Sequence, residues 1–170
     1  MYEAFLKIPK RRIGVVIGKD GATKKTIEDE LGAKLDINED GEIVYSAKDP
    51  LNQMKLTEIL KAIGRGFSPQ EALILETDEY ILHLIYLDLE LNKNQKAQER
   101  YKSRIIGSEG ATRKQIEAST DTKISVFGKT VGIIGLPKNV QIANEAILML
   151  LDGMTHKAVY SYLEKKKINL

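Results

Sequence analysis

Residues 17–28, Ile-Gly-Lys-Asp-Gly-Ala-Thr-Lys-Lys-Thr-Ile-Glu, return 89 positions later at 106–117 as Ile-Gly-Ser-Glu-Gly-Ala-Thr-Arg-Lys-Gln-Ile-Glu, with eight of twelve positions identical. The register then runs on without a gap: Lys34 falls on Lys123, Leu35 on Ile124 and Ile37 on Val126. A repeat of this kind means that one supersecondary unit is built twice. The 170 residues accommodate two domains of roughly 70–90 residues each, and 42% hydrophobic against 29% charged residues supplies a core for both.

Apolar periodicity predicts the order β-α-α-β-β-α for each copy, an α+β fold. In the first, a strand at Tyr2–Ile8 ends at Pro9, a short helix at Arg12–Ile17 stops at Gly18, and a second helix runs from Ala22 to Leu31 with Gly32 beyond its end. Strands at Lys34–Ile37 and Glu42–Tyr45 flank the turn 38–41. Asp49 caps a helix with Pro50 in its first position and an apolar stripe at Leu51, Met54, Lys55, Ile59 and Ala62. In the second copy, Glu79–Leu89 reads as one long strand buried on both faces. Helices follow at Gln95–Ile106 and Ala111–Ala118, strands at Lys123–Phe127 and Thr130–Ile134, and helices at Asn139–Leu151 and Thr155–Lys167. Ser68-Pro69-Gln70-Glu71 has the form of a capping box, so the connection between copies is a short helix. The expected division is 1–66, a helical linker at 67–77, a second domain at 78–153 and a C-terminal helix at 154–170.

The net charge of +2 conceals a segregation. Residues 7–25 hold seven cations against one acid, residues 93–114, beginning with Lys93, hold seven against two, and residues 157–167 hold four against one, which leaves −12 on the rest. Basic patches on an otherwise acidic surface suit a phosphate-rich partner. With no Cys there is no disulfide, thiolate metal site or cysteine nucleophile, and no apolar run approaches the 18 residues of a membrane span. The expectation is a cytoplasmic protein without membrane attachment.

A Gly-x-x-Gly loop between two helices has a specific use. Glycine at both ends allows a sharp turn and close approach by another backbone. The helix that starts there aims its free N–H groups and positive dipole end at whatever occupies the loop. Single-stranded nucleic acid fits, its phosphates on the loop and its bases along the apolar groove between the second helix and the next strand.

Gly18-Lys19-Asp20-Gly21 and Gly107-Ser108-Glu109-Gly110, each preceded by Ile and set in a β-α-α-β-β-α unit, resemble the loops of type I KH domains. The pairing of two such units in about this length resembles the archaeal relatives of the partner-of-Nob and Krr-type ribosomal RNA processing factors. The resemblance implies, for each unit, a three-stranded antiparallel sheet packed by three helices. It further implies binding of single-stranded RNA, the 3′ end of small-subunit ribosomal RNA, with ribosome-assembly or translation-initiation proteins as further partners. Neither catalytic group, metal nor cofactor is expected. RNA would lie across both domains, with bases over Ile17, Ile27, Leu35 and Ile37, and over Ile106, Ile116, Ile124 and Val126. Phosphates would meet Lys19, Lys24, Lys25, Arg104, Arg113 and Lys114. Lys24 and Arg113 stand where most KH domains carry an aliphatic residue, adding a cation near the phosphates, while Asp20 and Glu109 are tolerated acids pointing away.

Rival readings are weaker. Gly128-Lys129-Thr130 ends like a phosphate-binding loop but has Lys123 where that loop needs glycine. His83 reads as a satisfied residue of a strand and His156 as exposed. A regulator of messenger RNA uses the same loops, and a protein-docking scaffold would use strand 79–89, Tyr160, Tyr162 and the last helix instead.

Overall fold

Strand β1 (Ala4–Lys7) ends ahead of Pro9, which has no N–H to offer a ladder, and a 3-10 turn at Lys10–Arg12 leads into α1 (Ile13–Ile17). In this computed structural model residues 3–92 and 94–167 are described; Tyr2 of the predicted first strand, Lys93 of the second basic cluster and residues 168–170 of the predicted C-terminal segment lie outside them. After the glycine loop, α2 (Ala22–Leu31) closes on Gly32 in the left-handed region, φ 57° and ψ 51°. β2 (Ala33–Ile37) and β3 (Glu42–Ala47) are joined by a turn in which Asn38 Oδ1 accepts the N–H groups of Asp40 and Glu42, each at 3.0 Å. The N–H of Asn52 donates to Asp49 Oδ1 at 2.8 Å and starts α3 (Pro50–Gly64). The capping box forms at Ser68 and Glu71, opening α4 (Pro69–Ala72) and a following 3-10 turn. That segment buries Phe67, Ala72 and Leu75.

The chain divides after Asp78 into two compact units. In the second, β4 (Ile81–Tyr86) gives way to one turn of helix, α5 (Leu87–Glu90), then α6 (Gln95–Ile106), α7 (Ala111–Thr120), β5 (Lys123–Phe127), β6 (Thr130–Gly135), α8 (Pro137–Leu151) and α9 (His156–Lys167). Both sheets are three-stranded and antiparallel with the last strand in the middle, β1-β3-β2 and β4-β6-β5. The α+β architecture that the resemblance implied, a three-stranded antiparallel sheet with packed helices in each unit, is therefore present.

Two elements differ from the sequence reading. The predicted long strand 79–89 is cut at Tyr86, because Leu-Asp-Leu-Glu lacks β-branching and turns helical, burying Leu87 and exposing Leu89. Nor is it buried on both faces: β4 is an edge strand, and the strand buried along its whole length is the central β6. The stripe on α3 holds only in part: Ile59 and Ala62 are fully buried as expected, but its first members are not. Leu56, Ile59, Leu60 and Ile63 have no accessible surface, whereas Leu51 and Met54 are more than half exposed. The spacing 56-59-60-63 is a complete i, i+3, i+4, i+7 face, and it outcompetes the interrupted set chosen from the start of the helix.

Candidate nucleic-acid interface

The two glycine loops have one geometry. Gly18 (φ 75°, ψ 175°) closes α1 and donates to Gly14 O at 2.8 Å; Gly107 (φ 77°, ψ 174°) closes α6 and donates to Ser103 O at 2.8 Å. Asp20 (φ 55°, ψ 28°) and Glu109 (φ 56°, ψ 27°) both sit in the left-handed region, and Gly21 and Gly110 both have φ 77°. Two stretches with different residues at their middle positions thus adopt the same backbone.

The glycines of each pair do different things. A Cβ on Gly18 would stand 2.2 Å from Thr23 Oγ1, and one on Gly107 would stand 2.3 Å from Thr112 Oγ1, so the first glycine lets the loop pack on its own helix. A Cβ on Gly21 would meet nothing within 4 Å, and one on Gly110 only the ends of Lys114 and Arg113 at 3.7 and 3.9 Å. The second glycine presents bare backbone to open space beside cations. Neither loop is plugged by its own chain.

Lys19, Lys25 and Lys114 are exposed, Lys24 is half-buried, and among the described residues none of these four forms a salt bridge. Arg113 is different: its Nη1 holds Glu117 Oε1 at 2.9 Å, so the second loop is the less electropositive. Ser108, Asp20 and Glu109 are exposed. Arg104 is committed elsewhere. Its guanidinium donates to Leu150 O at 2.7 Å and to Met154 O, satisfying one carbonyl in the last turn of α8 and one in the connection to α9, and it faces the Tyr101 ring. In the first unit Arg12 plays this part, donating to Ile63 O at 2.8 Å and Phe67 O at 2.7 Å, with desolvation and then Arg11 lowering its pKa.

The apolar residues separate into two layers. Ile17 and Ile106, next to the loops in sequence, and Ile37 and Val126, on β2 and β5, keep accessible surface. Ile27 and Ile116 have none, and Leu35 and Ile124 have 4% and 3%. These four are core residues rather than surface ones: Ile27 and Ile116 lie on the inward sides of α2 and α7, and Leu35 and Ile124 on the buried faces of β2 and β5.

One pair of residues that shapes the candidate site escaped the sequence reading although both stand in the repeat. Glu28 Oε2 accepts the N–H of Leu35 at 2.9 Å, and Glu117 Oε2 accepts that of Ile124 at 2.8 Å. β2 and β5 are edge strands, so these carboxylates fasten each helix to the free edge of its sheet. Identity of the two glutamates across the copies was the available signal.

His156 is not exposed: it is half-buried, and its Nε2 bonds Arg104 O at 3.0 Å. His83 Nε2 bonds Asn144 Oδ1 at 3.1 Å from the edge strand. Tyr160 donates to Thr112 Oγ1 at 3.2 Å, and Val159 and Leu163 are buried in the second core. Gly128 and Lys129 form a hairpin turn with no helix behind them. Among the described residues no cluster of His, Asp or Glu could hold a metal ion, and no helix is long and apolar enough to cross a membrane.

Comparison with known proteins agrees with this geometry. Residues 81–168 match the eukaryotic type KH-domain (KH-domain type I), and residues 3–52 match the KH domain. A KH domain-containing protein of Methanocaldococcus jannaschii is 48% identical over 166 residues, 95% of this chain and 73% of that one. The pre-rRNA-processing protein pno1 of Aspergillus fumigatus is 32% identical over 110 residues, 64% of this chain and 44% of that one. Among solved structures, Dim2p from Pyrococcus horikoshii OT3 superposes with a TM-score of 0.91 at 42% identity, covering 97% of this chain and 99% of its own. A chain of the a/eIF2alpha-aDim2p-rRNA complex from the same organism superposes at 0.92 with 43% identity, covering 99% and 96%.

Proposed function

The chain belongs to the KH-domain RNA-binding proteins related to the Pno1/Dim2 rRNA-processing factors, and we propose that it holds the single-stranded 3′ end of small-subunit ribosomal RNA through both glycine loops during ribosome assembly. The observation that carries this reading is the pair of matching loops, each with bare backbone at its second glycine and cations beside it. Phosphates sit against Gly21 and Gly110 and meet Lys19, Lys24 and Lys25 in the first unit, Arg113 and Lys114 in the second. Bases cover Ile17 and Ile37, and Ile106 and Val126, with Ile27, Leu35, Ile116 and Ile124 as the floor. Arg104 stays with α8.

The protein acts in the cytoplasm as a binder, with no catalytic step of its own. The rRNA and a/eIF2alpha named in a relative's complex support ribosomal RNA and a translation-initiation protein as partners. Cross-linking followed by sequencing of protected RNA tests the target. Reads concentrated at the 3′ end of small-subunit ribosomal RNA are expected; reads spread over messages without ribosomal enrichment would replace this reading with regulation of messenger RNA.

A further inference from the structure

The third basic cluster, Lys157 with Lys165, Lys166 and Lys167, has no part in either loop. It lies on α9, whose inner face is anchored by Val159 and Leu163. On the outer face Lys157, Ser161 and Lys165 follow one another at i, i+4 and i+8, all exposed, and with Tyr160 and Glu164 they line a shallow groove on this one helix, wide open to solvent. Tyr160 joins that groove to the second glycine loop, since its hydroxyl donates to Thr112, two residues past Gly110. His156, at the start of α9, bonds the last turn of α6 on the other side of the loop. The helix is thus tied to both helices that flank Gly107–Gly110.

We propose that this face of α9 is a phosphate-binding track which receives the nucleotides of single-stranded RNA next to those held by the second loop. Lys157 and Lys165 are separated by roughly 12 Å along the helix, a span that reaches neighbouring phosphates of an extended strand. Ser161 supplies a donor between them, and the half-buried Tyr160, packed on one side against the second core, keeps aromatic surface beside them for a base. Glu164 is the lone carboxylate in the lining and is outnumbered. A phosphodiester chain matches lysines, a hydroxyl and one aromatic ring in line better than an acidic peptide does, because the peptide has no flat base for Tyr160. The inference rests on the reading that the second loop holds RNA, and extends the site beyond it.

The test measures binding of mixed-sequence single-stranded oligoribonucleotides of about four and about twelve nucleotides to the full chain, a KH loop engaging about four. K157A/K165A should weaken the longer RNA roughly tenfold at low salt and flatten its log–log salt slope by about 1.4, two phosphates at about 0.7 each, while leaving the shorter RNA unchanged. Melting temperature serves as the folding control, both lysines being exposed. If S108D weakens binding but K157A/K165A does not, the track is wrong and the loop reading stands. Equal losses for both lengths would show a diffuse field instead of a site and also overturn the track. If neither S108D nor K19D affects either RNA, the loop reading fails and takes the track with it.

Discussion

Each glycine loop contains two residues of the same type that respond oppositely to the same substitution. Gly18→Ala or Gly107→Ala sets a methyl group 2.2 or 2.3 Å from a threonine hydroxyl at a φ near 75°, so the loss of stability exceeds the conformational cost of about 1–2 kcal/mol. Gly21→Ala meets open space and costs only that conformational term, yet its methyl occupies the approach of a phosphate. Urea melts and RNA titrations together should find Gly21→Ala folded and weakened at least about tenfold, or about 1.4 kcal/mol, in binding. A folded Gly21→Ala protein with undiminished affinity would remove that loop from the site. Asp121 stands where the first copy has Gly32 and adopts φ 52°, ψ 53°; Asp121→Gly should stabilise the second unit by about 0.5–1 kcal/mol in the same melts. Burial, together with a hydrogen bond and repulsion from Glu30, raises the pKa of Glu76 above the ordinary carboxylate range. The protonated group therefore contributes stability that is full below its unfolded pKa and lost as pH rises through the folded one. Thermal melts between about pH 4 and 7 should show that fall in the parent protein and a flatter profile for Glu76→Gln.

At the scale of elements, local chemistry was legible wherever a residue of special geometry marks a boundary. Pro9, Gly32, the Asp49-Pro50 start and the Ser68 capping box each stand where the helices and strands change. What local pattern could not reveal was which side of an element meets its neighbours. The early part of α3 carries Leu51 and Met54 into solvent, and Ile27 and Ile116, placed over the groove by the resemblance to KH domains, face inward. The cation Arg104 looked available because its partners, Leu150 and Met154, lie 46 and 50 residues further along the chain. The corrected face of α3 makes its own prediction. Leu56→Ala or Ile59→Ala should cost about 2–5 kcal/mol in chemical denaturation, and Met54→Ala, at 68% exposure, within about 0.5 kcal/mol of nothing. Comparable losses at all three positions would contradict the assignment of the buried face.

For the whole molecule, the repeat provides two loops of equal shape and unequal charge. Lys19, Lys24 and Lys25 are without salt bridges among the described residues, whereas the second loop has Ser108 in place of Lys19 and an Arg113 engaged by Glu117. Phosphate affinity follows the available cations, so Lys19→Asp should weaken RNA binding more than Ser108→Asp does, and a ranking in the opposite order in paired titrations would mean that groove contacts outweigh the loops. The central claim, that both loops are cradles for unpaired RNA, meets its most direct test in the salt dependence of single-stranded RNA binding by the parent chain and by the Lys19→Asp/Ser108→Asp variant. The account predicts a steep log–log slope for the parent, roughly −0.7 for each phosphate neutralised, and for the folded variant a slope shallower by more than one such step with affinity down at least about tenfold. A folded variant that keeps the parent's affinity and slope would contradict it.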